Sequence, residues 1–534
     1  MSVENREDSF KRFLEQHLAV IEPLSREAAL ASWEMQTTGS REAAERARQL
    51  RTELALIYAD KETYRYLKEL PVEALSDPLL KRQHTLLLHA YLSRQGDEEI
   101  LKEIVALEVE IADTYNHYRA RLRGKEVSDN ELEQILVQSR DEALRKEAWE
   151  ASKQIGAVVA DRIRRLAALR NQEAQKLGYP NYYALRIELQ ELDLQRLDAL
   201  MEELAHISEP LWNLYRDSLD GQLAERYGVS PEAIRPWHHA NRFFQAPEPS
   251  GLNLDPYFAD KNLEAITARF YDDIGLPIED ILARSDLYER MGKCQHAFCT
   301  DIDRRGDIRV LCNCRPNARW MNTMLHEFGH AAYDKYISPE LPYLLRRPAH
   351  TMTTEAMALW AGSRTHQPEW LTTYADVPAQ TAGTIGQSAR IYEAQSLLVF
   401  MRWCLVMYHF EQALYANPDG DLNTLWWDLV ERYQRVRRPE ERDTPDWAAK
   451  IHIATASVYY HNYLLGHLIA AQVEKQLEEL GCSRSFTPAL GTYLRERLFA
   501  PGALWPWEEW LQKATGEPLN PHYFVQQLQE AIQS

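Results

Sequence analysis

Apolar residues recur at spacings of three and four through most of the N-terminal half of the chain, and that period admits little besides packed α-helices. Phe10, Phe13, Leu14 and Leu18 keep it, as do Leu50, Leu54, Ile57 and Tyr58, and it runs on through Leu101–Val105 and Ile163–Leu166. Charged faces lie between these stripes. From Ser9 to about Arg235 the reading is helical, punctuated by turns at Gly178-Tyr179-Pro180 and Gly228-Val229-Ser230-Pro231. Glycine is scarce, 21 in 534 residues, which favours helix over sheet. One hairpin signal stands out: Ala297–Asp303 and Ile308–Cys312 flank Arg304-Arg305-Gly306-Asp307 as a turn. Helices resume from Asn317 to the C-terminus. The expected fold class is therefore all-α with one small hairpin. Gln245-Ala246-Pro247-Glu248-Pro249-Ser250-Gly251 reads as a long loop or linker near 244–256.

Charge narrows the partners. Acidic residues outnumber basic ones, 80 to 61, for a net charge of −19, so a nucleic-acid surface is not the business of this chain. The acidity itself reads as a solvated face. The N-terminal residues 1–8 lack a basic start followed by an apolar run, so no export leader is predicted and the expected location is cytoplasmic. No run of about 18 apolar residues is present, so no membrane contact is expected. Six cysteines are too few for a disulfide scaffold. Cys294, Cys299, Cys312 and Cys314 make a poor metal site, because the C-x-C half does not chelate as C-x-x-C does.

The chemistry lies in Met324-Leu325-His326-Glu327-Phe328-Gly329-His330, an H-E-x-x-H motif. Histidines four apart sit one turn apart on one helix face and can bind one metal ion from a single rigid element. Zinc suits such nitrogen ligands. Glu327 falls beside the metal rather than on it, where it can take a proton from the attacking water. Asn322, His326, His330 and Asp334 form a polar stripe on an otherwise apolar helix, bracketed by Pro316 and Pro339. A third ligand is required. Glu355, alone among Ala356, Met357 and Trp360, is the strongest candidate, since a carboxylate in such surroundings wants a cation. Glu340, in a Ser-Pro-Glu-Leu-Pro loop, and His350 are the competitors. Downstream, Tyr460 and Tyr463 share a helix face; they read either as polar tips entering a cleft or as ordinary core tyrosines.

These residues together resemble the angiotensin-converting-enzyme-like peptidyl-dipeptidases and their relatives, the thimet oligopeptidase and oligoendopeptidase F family. The likeness includes Leu24–Glu34, Leu200–Gly228, Cys294–Phe298 with Ile308–Cys312, and His452 with Tyr460 and Tyr463. It implies an all-helical ellipsoid with a deep cleft, one catalytic domain of two helical lobes over 1–534. It implies Zn²⁺ on His326, His330 and Glu355, Glu327 as base and then acid, and Tyr463 as oxyanion donor. It implies that His452 and Tyr460 hold the substrate backbone or its terminus. Lys450 would then bind the substrate's C-terminal carboxylate, and His296 and Ala297 would lie on a strand that pairs with the extended peptide.

There are departures. The acidic residue that the family has four after its glutamate ligand is Leu359 here, which leaves Asp334 as the candidate to orient a histidine. The arginine that binds chloride is replaced by Asn462, so little chloride activation is expected. The carboxamide that helps grip the C-terminus has no match near Trp237–Asn241. Cys294 and Cys312 are spaced as a disulfide pair of the secreted relatives, and in a reducing compartment two free thiols are expected. The expected function is a zinc metallopeptidase acting on short peptides, releasing C-terminal dipeptides. The alternatives are internal cleavage, single-residue release, or a non-catalytic peptide-binding protein.

Overall fold

The structure, a computed structural model, describes residues 3–533; Met1 and Ser2, part of the stretch read above for a leader, and Ser534 lie outside them. The chain divides into two compact units. The first comprises the residues up to Gln95, Leu252–Ala389 and Leu465–Tyr523; the second comprises Gly96–Gly251, Arg390–Leu464 and Phe524 onward.

The first unit opens with a long helix, α1 (Val3–Thr38), on which Phe10 and Leu14 are buried against Leu67, Leu70, Leu87 and Tyr91. The stripe expected from spacing is thus the face that packs. In the second unit a small antiparallel hairpin interrupts the helices. Strands β1 (Ala120–Leu122) and β2 (Lys125–Val127) pair Ala120 with Val127 and Leu122 with Lys125. The sequence reading, helical through this region with a single sheet elsewhere, missed it. Arg123 and Gly124 both take positive φ, 51° and 78°, the backbone of a two-residue hairpin turn. Arginine stands where asparagine or aspartate would have announced that turn, and three-residue strands show no usable alternation. The second unit continues with α2 (Glu142–Lys176) and α3 (Tyr182–Leu189).

The hairpin that was expected is present in the first unit. Strands β3 (Phe298–Asp301) and β4 (Ile308–Leu311) pair antiparallel, Cys299 opposite Val310. His296 and Ala297, expected on this strand, fall just before it in the segment that leads in. Two helices follow. α4 (Ala318–Tyr336) is capped by Asn317, whose side chain accepts from the Trp320 N–H. α5 (Thr351–Ser363) is capped by His350, whose Nδ1 accepts from the Met352 N–H. The long α6 (Ala379–Ala416) and α7 (Tyr460–Glu479) complete the elements used below. No described helix is long and apolar enough to cross a membrane.

Candidate metal centre

Helix α4 is apolar on most of its circumference: Met321, Met324, Leu325, Phe328, Ala331 and Ala332 are buried. The polar stripe is what remains, and α5 covers it. The two helices approach closely at Gly329, inside the H-E-x-x-H motif. A Cβ there would stand 2.8 Å from the Ala358 Cα, so only glycine permits this approach. Asn322, one turn before His326, donates through Nδ2 to the Gly362 carbonyl at 2.9 Å and ties the start of α4 to the end of α5.

That packing brings three ligand atoms together. One atom from each of His326, His330 and Glu355 lies within 4.8 Å of the others. His330 Nε2 is 3.5 Å from one Glu355 oxygen and His326 Nε2 is 3.9 Å from the other. The imidazole rings are 5.0 Å apart at 84°. Tetrahedral zinc with bonds of about 2.0–2.1 Å separates its ligand atoms by about 3.3 Å, so small adjustments close the sphere. His330 Nδ1 lies 2.8 Å from the Thr354 hydroxyl. With the proton on Nδ1, Nε2 presents a bare lone pair to a carboxylate that also has only acceptors. A metal ion, or in its absence a second proton on His330, joins such a pair, and the donor set fits zinc.

The charges follow burial. Desolvation lowers the His326 imidazole to about 4, with the neighbouring His330 and His467 acting the same way and Glu355 opposing. Burial also acts against charge on His330 and Glu355. Their mutual hydrogen bond and attraction outweigh it, raising the first and lowering the second. Glu327 is 8% exposed, and burial lifts its carboxyl to about 7. Asp334 is lifted to about 7 by burial and then by Asp301. It forms no hydrogen bond to either histidine among the described residues; Thr354, adjacent to Glu355, meets His330 instead. Glu340 is exposed, and His350 is engaged as the α5 cap, so neither competitor enters the group.

A second cluster forms within the second unit. Lys450 is 8% exposed, and its ammonium donates to the Gln245 carboxamide at 2.7 Å. The rings of Trp403, Phe243 and Tyr460 surround it at 5.4, 5.5 and 5.9 Å. Burial lowers this amine to about 8. A carboxamide thus lies beside Lys450, four residues beyond the Trp237–Asn241 stretch in which the sequence reading sought one. His452 packs against Tyr460 with ring centres 5.5 Å apart and planes tilted by 52°, and its Nδ1 is buried without a hydrogen-bond partner among the described residues. Burial, then Lys450, lowers this imidazole to about 4. Tyr463 stands edge-on to Tyr459 at 5.0 Å and packs beside Tyr460 at 5.7 Å. His296 is exposed. All six cysteines, Cys294 and Cys312 among them, are free thiols.

A helical fold built around H-E-x-x-H with a carboxylate on the following helix defines a class, that of the HExxH-plus-glutamate metal centres. The chain belongs to the angiotensin-converting enzyme family, peptidase family M2, whose family model matches residues 4–238 and 255–522. The interval left unmatched, 239–254, contains Gln245. The chain is also similar to thermostable carboxypeptidase 1 of Pyrococcus furiosus, 31% identical over 118 residues, which are 21% of this chain and 23% of that protein's length.

Proposed function

We propose that this chain is a zinc-dependent peptidase that hydrolyses short unfolded peptides and releases dipeptides from their C-terminal end. The observation that carries the reading is the convergence of His326, His330 and Glu355, with buried Glu327 one residue from the first ligand. Zinc, when bound, supplies Lewis acidity that polarises the scissile carbonyl and the attacking water.

The chain's own groups do the rest. Glu327 takes a proton from the attacking water and returns it to the leaving amine. The carboxyl is buried, so a proton taken from the water is kept for the leaving amine rather than lost to solvent. Tyr463 donates its hydroxyl proton in a hydrogen bond to the developing oxyanion. His452 and Tyr460 hold the substrate backbone, and the segment at His296 and Ala297 offers main-chain pairing to an extended peptide. Lys450 and Gln245 receive the terminal carboxylate: a desolvated ammonium beside a neutral carboxamide is a site for one anionic group.

That last pairing favours release from the C-terminus over internal cutting, the main alternative. The test is mass spectrometry of products from two peptides of one sequence, one with a free C-terminus and one amidated. The free peptide is expected to shorten in steps of two residues while the amidated one persists. Internal fragments from both would assign internal cleavage instead, and single-residue steps a carboxypeptidase. Binding without cleavage by protein loaded with zinc would identify a peptide-binding protein.

A further inference from the structure

Val458 sits where a β-branched residue should not. Its φ is +55°, in the left-handed region, where the branched side chain crowds its own backbone. Such a conformation persists only where the surroundings over-determine it. Here they do so from both sides of the residue. The Val458 N–H donates to a Glu411 carboxylate oxygen at 2.9 Å, and its carbonyl accepts from Gln190 Nε2 at 3.1 Å. Glu411, on α6, is 2% exposed, so it is built into the core.

Gln190 does more than hold one carbonyl. Its Nε2 also donates to the Arg186 carbonyl at 2.9 Å, in the last turn of α3. Its Oε1 accepts from Asn462 Nδ2 at 2.6 Å and lies 3.0 Å from His461 Nε2. A carboxamide has two donors and two acceptor positions, and all four are used. Three of these bonds reach residues 458, 461 and 462, which flank Tyr460 and Tyr463 in the opening turn of α7.

We propose that Gln190 and Glu411 are positioning residues for Tyr463. Together they clamp the left-handed turn at Val458 and fix the first turn of α7, and so set the direction of the tyrosine hydroxyls. The inference rests on the reading of Tyr463 as the oxyanion donor. The clamp spans the chain, Gln190 lying 272 residues from Asn462 and Glu411 47 from Val458, so it is a tertiary device rather than a local cap.

The test compares Gln190→Leu, Glu411→Leu and Glu411→Gln, each alone and combined with Tyr463→Phe, by steady-state kinetics per mole of zinc-loaded folded protein. Tyr463→Phe is expected to lower kcat by about a hundredfold or more, as for loss of an oxyanion donor. Gln190→Leu and Glu411→Leu should each lower kcat by roughly tenfold with KM nearly unchanged, since small misalignments are costly only in the transition state. Glu411→Gln keeps an acceptor for the Val458 N–H and should restore most of that loss. In the Tyr463→Phe background the leucine variants should add less than about twofold, because groups acting through one another are not additive. Equal losses in both backgrounds would overturn the positioning role while leaving the tyrosine's role intact. An undiminished kcat in Tyr463→Phe would instead remove the oxyanion reading, and the inference with it. Should Gln190→Leu not accumulate as folded protein, the Glu411→Leu and Glu411→Gln pair carries the same comparison.

Discussion

The helix pair α4–α5 and the Lys450 pocket both keep titratable groups out of water, with opposite charge left over. Between α4 and α5, two imidazole nitrogens face a carboxylate at 3.5 and 3.9 Å, and without a metal only a proton on His330 joins the group. At Lys450, a buried ammonium meets a neutral carboxamide and three aromatic faces, and among the described residues it forms no ion pair. Leaving a charge unpaired in the interior is costly. A protein keeps such a group where a ligand of the opposite sign completes it. The first region is thus shaped for a cation and the second for an anion. On the proposed reading a metal ion completes the first and a peptide's C-terminal carboxylate the second.

The sharpest way to break this contrast is to remove the acid–base group without disturbing the cation site. Glu327→Gln should retain its metal, read by elemental analysis, and lose kcat by about a thousandfold, within the range for a general acid–base group. A variant that kept a tenth of the parent's turnover would remove Glu327 from the reaction. A smaller effect is expected one shell out. Thr354→Val leaves the His330 Nδ1 without its 2.8 Å partner. It should weaken zinc binding by roughly 10–100-fold in chelator competition, with Thr354→Ser close to the parent. Equal affinity in all three proteins would show that the hydroxyl does not orient the ligand.

The two regions were unequally visible in the sequence, and the reason is chain separation. His326 and His330 declare themselves because one helical turn joins them, and Glu355 because a carboxylate is conspicuous among alanine, methionine and tryptophan. Pro316 and Pro339 bracketed α4, which runs from Ala318 to Tyr336. Lys450 and Gln245 are 205 residues apart, and Gln245 lies in a Pro-rich stretch that reads as a linker. No spacing rule joins a lysine to a distant carboxamide; only the fold does. The same holds for Gln190 and Asn462. Thr354 was in plain view but reads as a helix-start residue, since nothing local says that its hydroxyl meets an imidazole on another helix. The β1–β2 hairpin escaped because its turn uses Arg123, and the left-handed backbone of Val458 contradicts the preference of its residue type.

The anion side of the contrast is tested by matched substrates. Lys450→Met should raise KM for free-acid peptides by about tenfold or more, and Gln245→Leu by less, because the ammonium meets the carboxylate with a full opposite charge and the carboxamide only with a dipole. Amidated peptides should be nearly unaffected by either. Parent enzyme should show the same discrimination in its pH profile. The Lys450 ammonium is present below about 8 and lost as pH rises through that value. For free-acid peptides, kcat/KM should therefore decline above pH 8, and Lys450→Met should flatten that limb. A limb that survives in Lys450→Met belongs to another group and would uncouple the buried amine from substrate binding.

The smallest expected effect is no effect, and it concerns the start of α7. The family that this chain resembles places a chloride-binding arginine directly before its oxyanion tyrosine. Here that position is Asn462, whose carboxamide carries no net charge and donates to Gln190 at 2.6 Å. A side chain already bonded within the fold needs no anion to hold it, and position 462 offers none of the charge that would attract one. Turnover at fixed ionic strength should therefore stay constant as chloride replaces a larger, weakly coordinating anion. A saturable rise with chloride would mean that an ion, rather than the Gln190 carboxamide, fixes this turn.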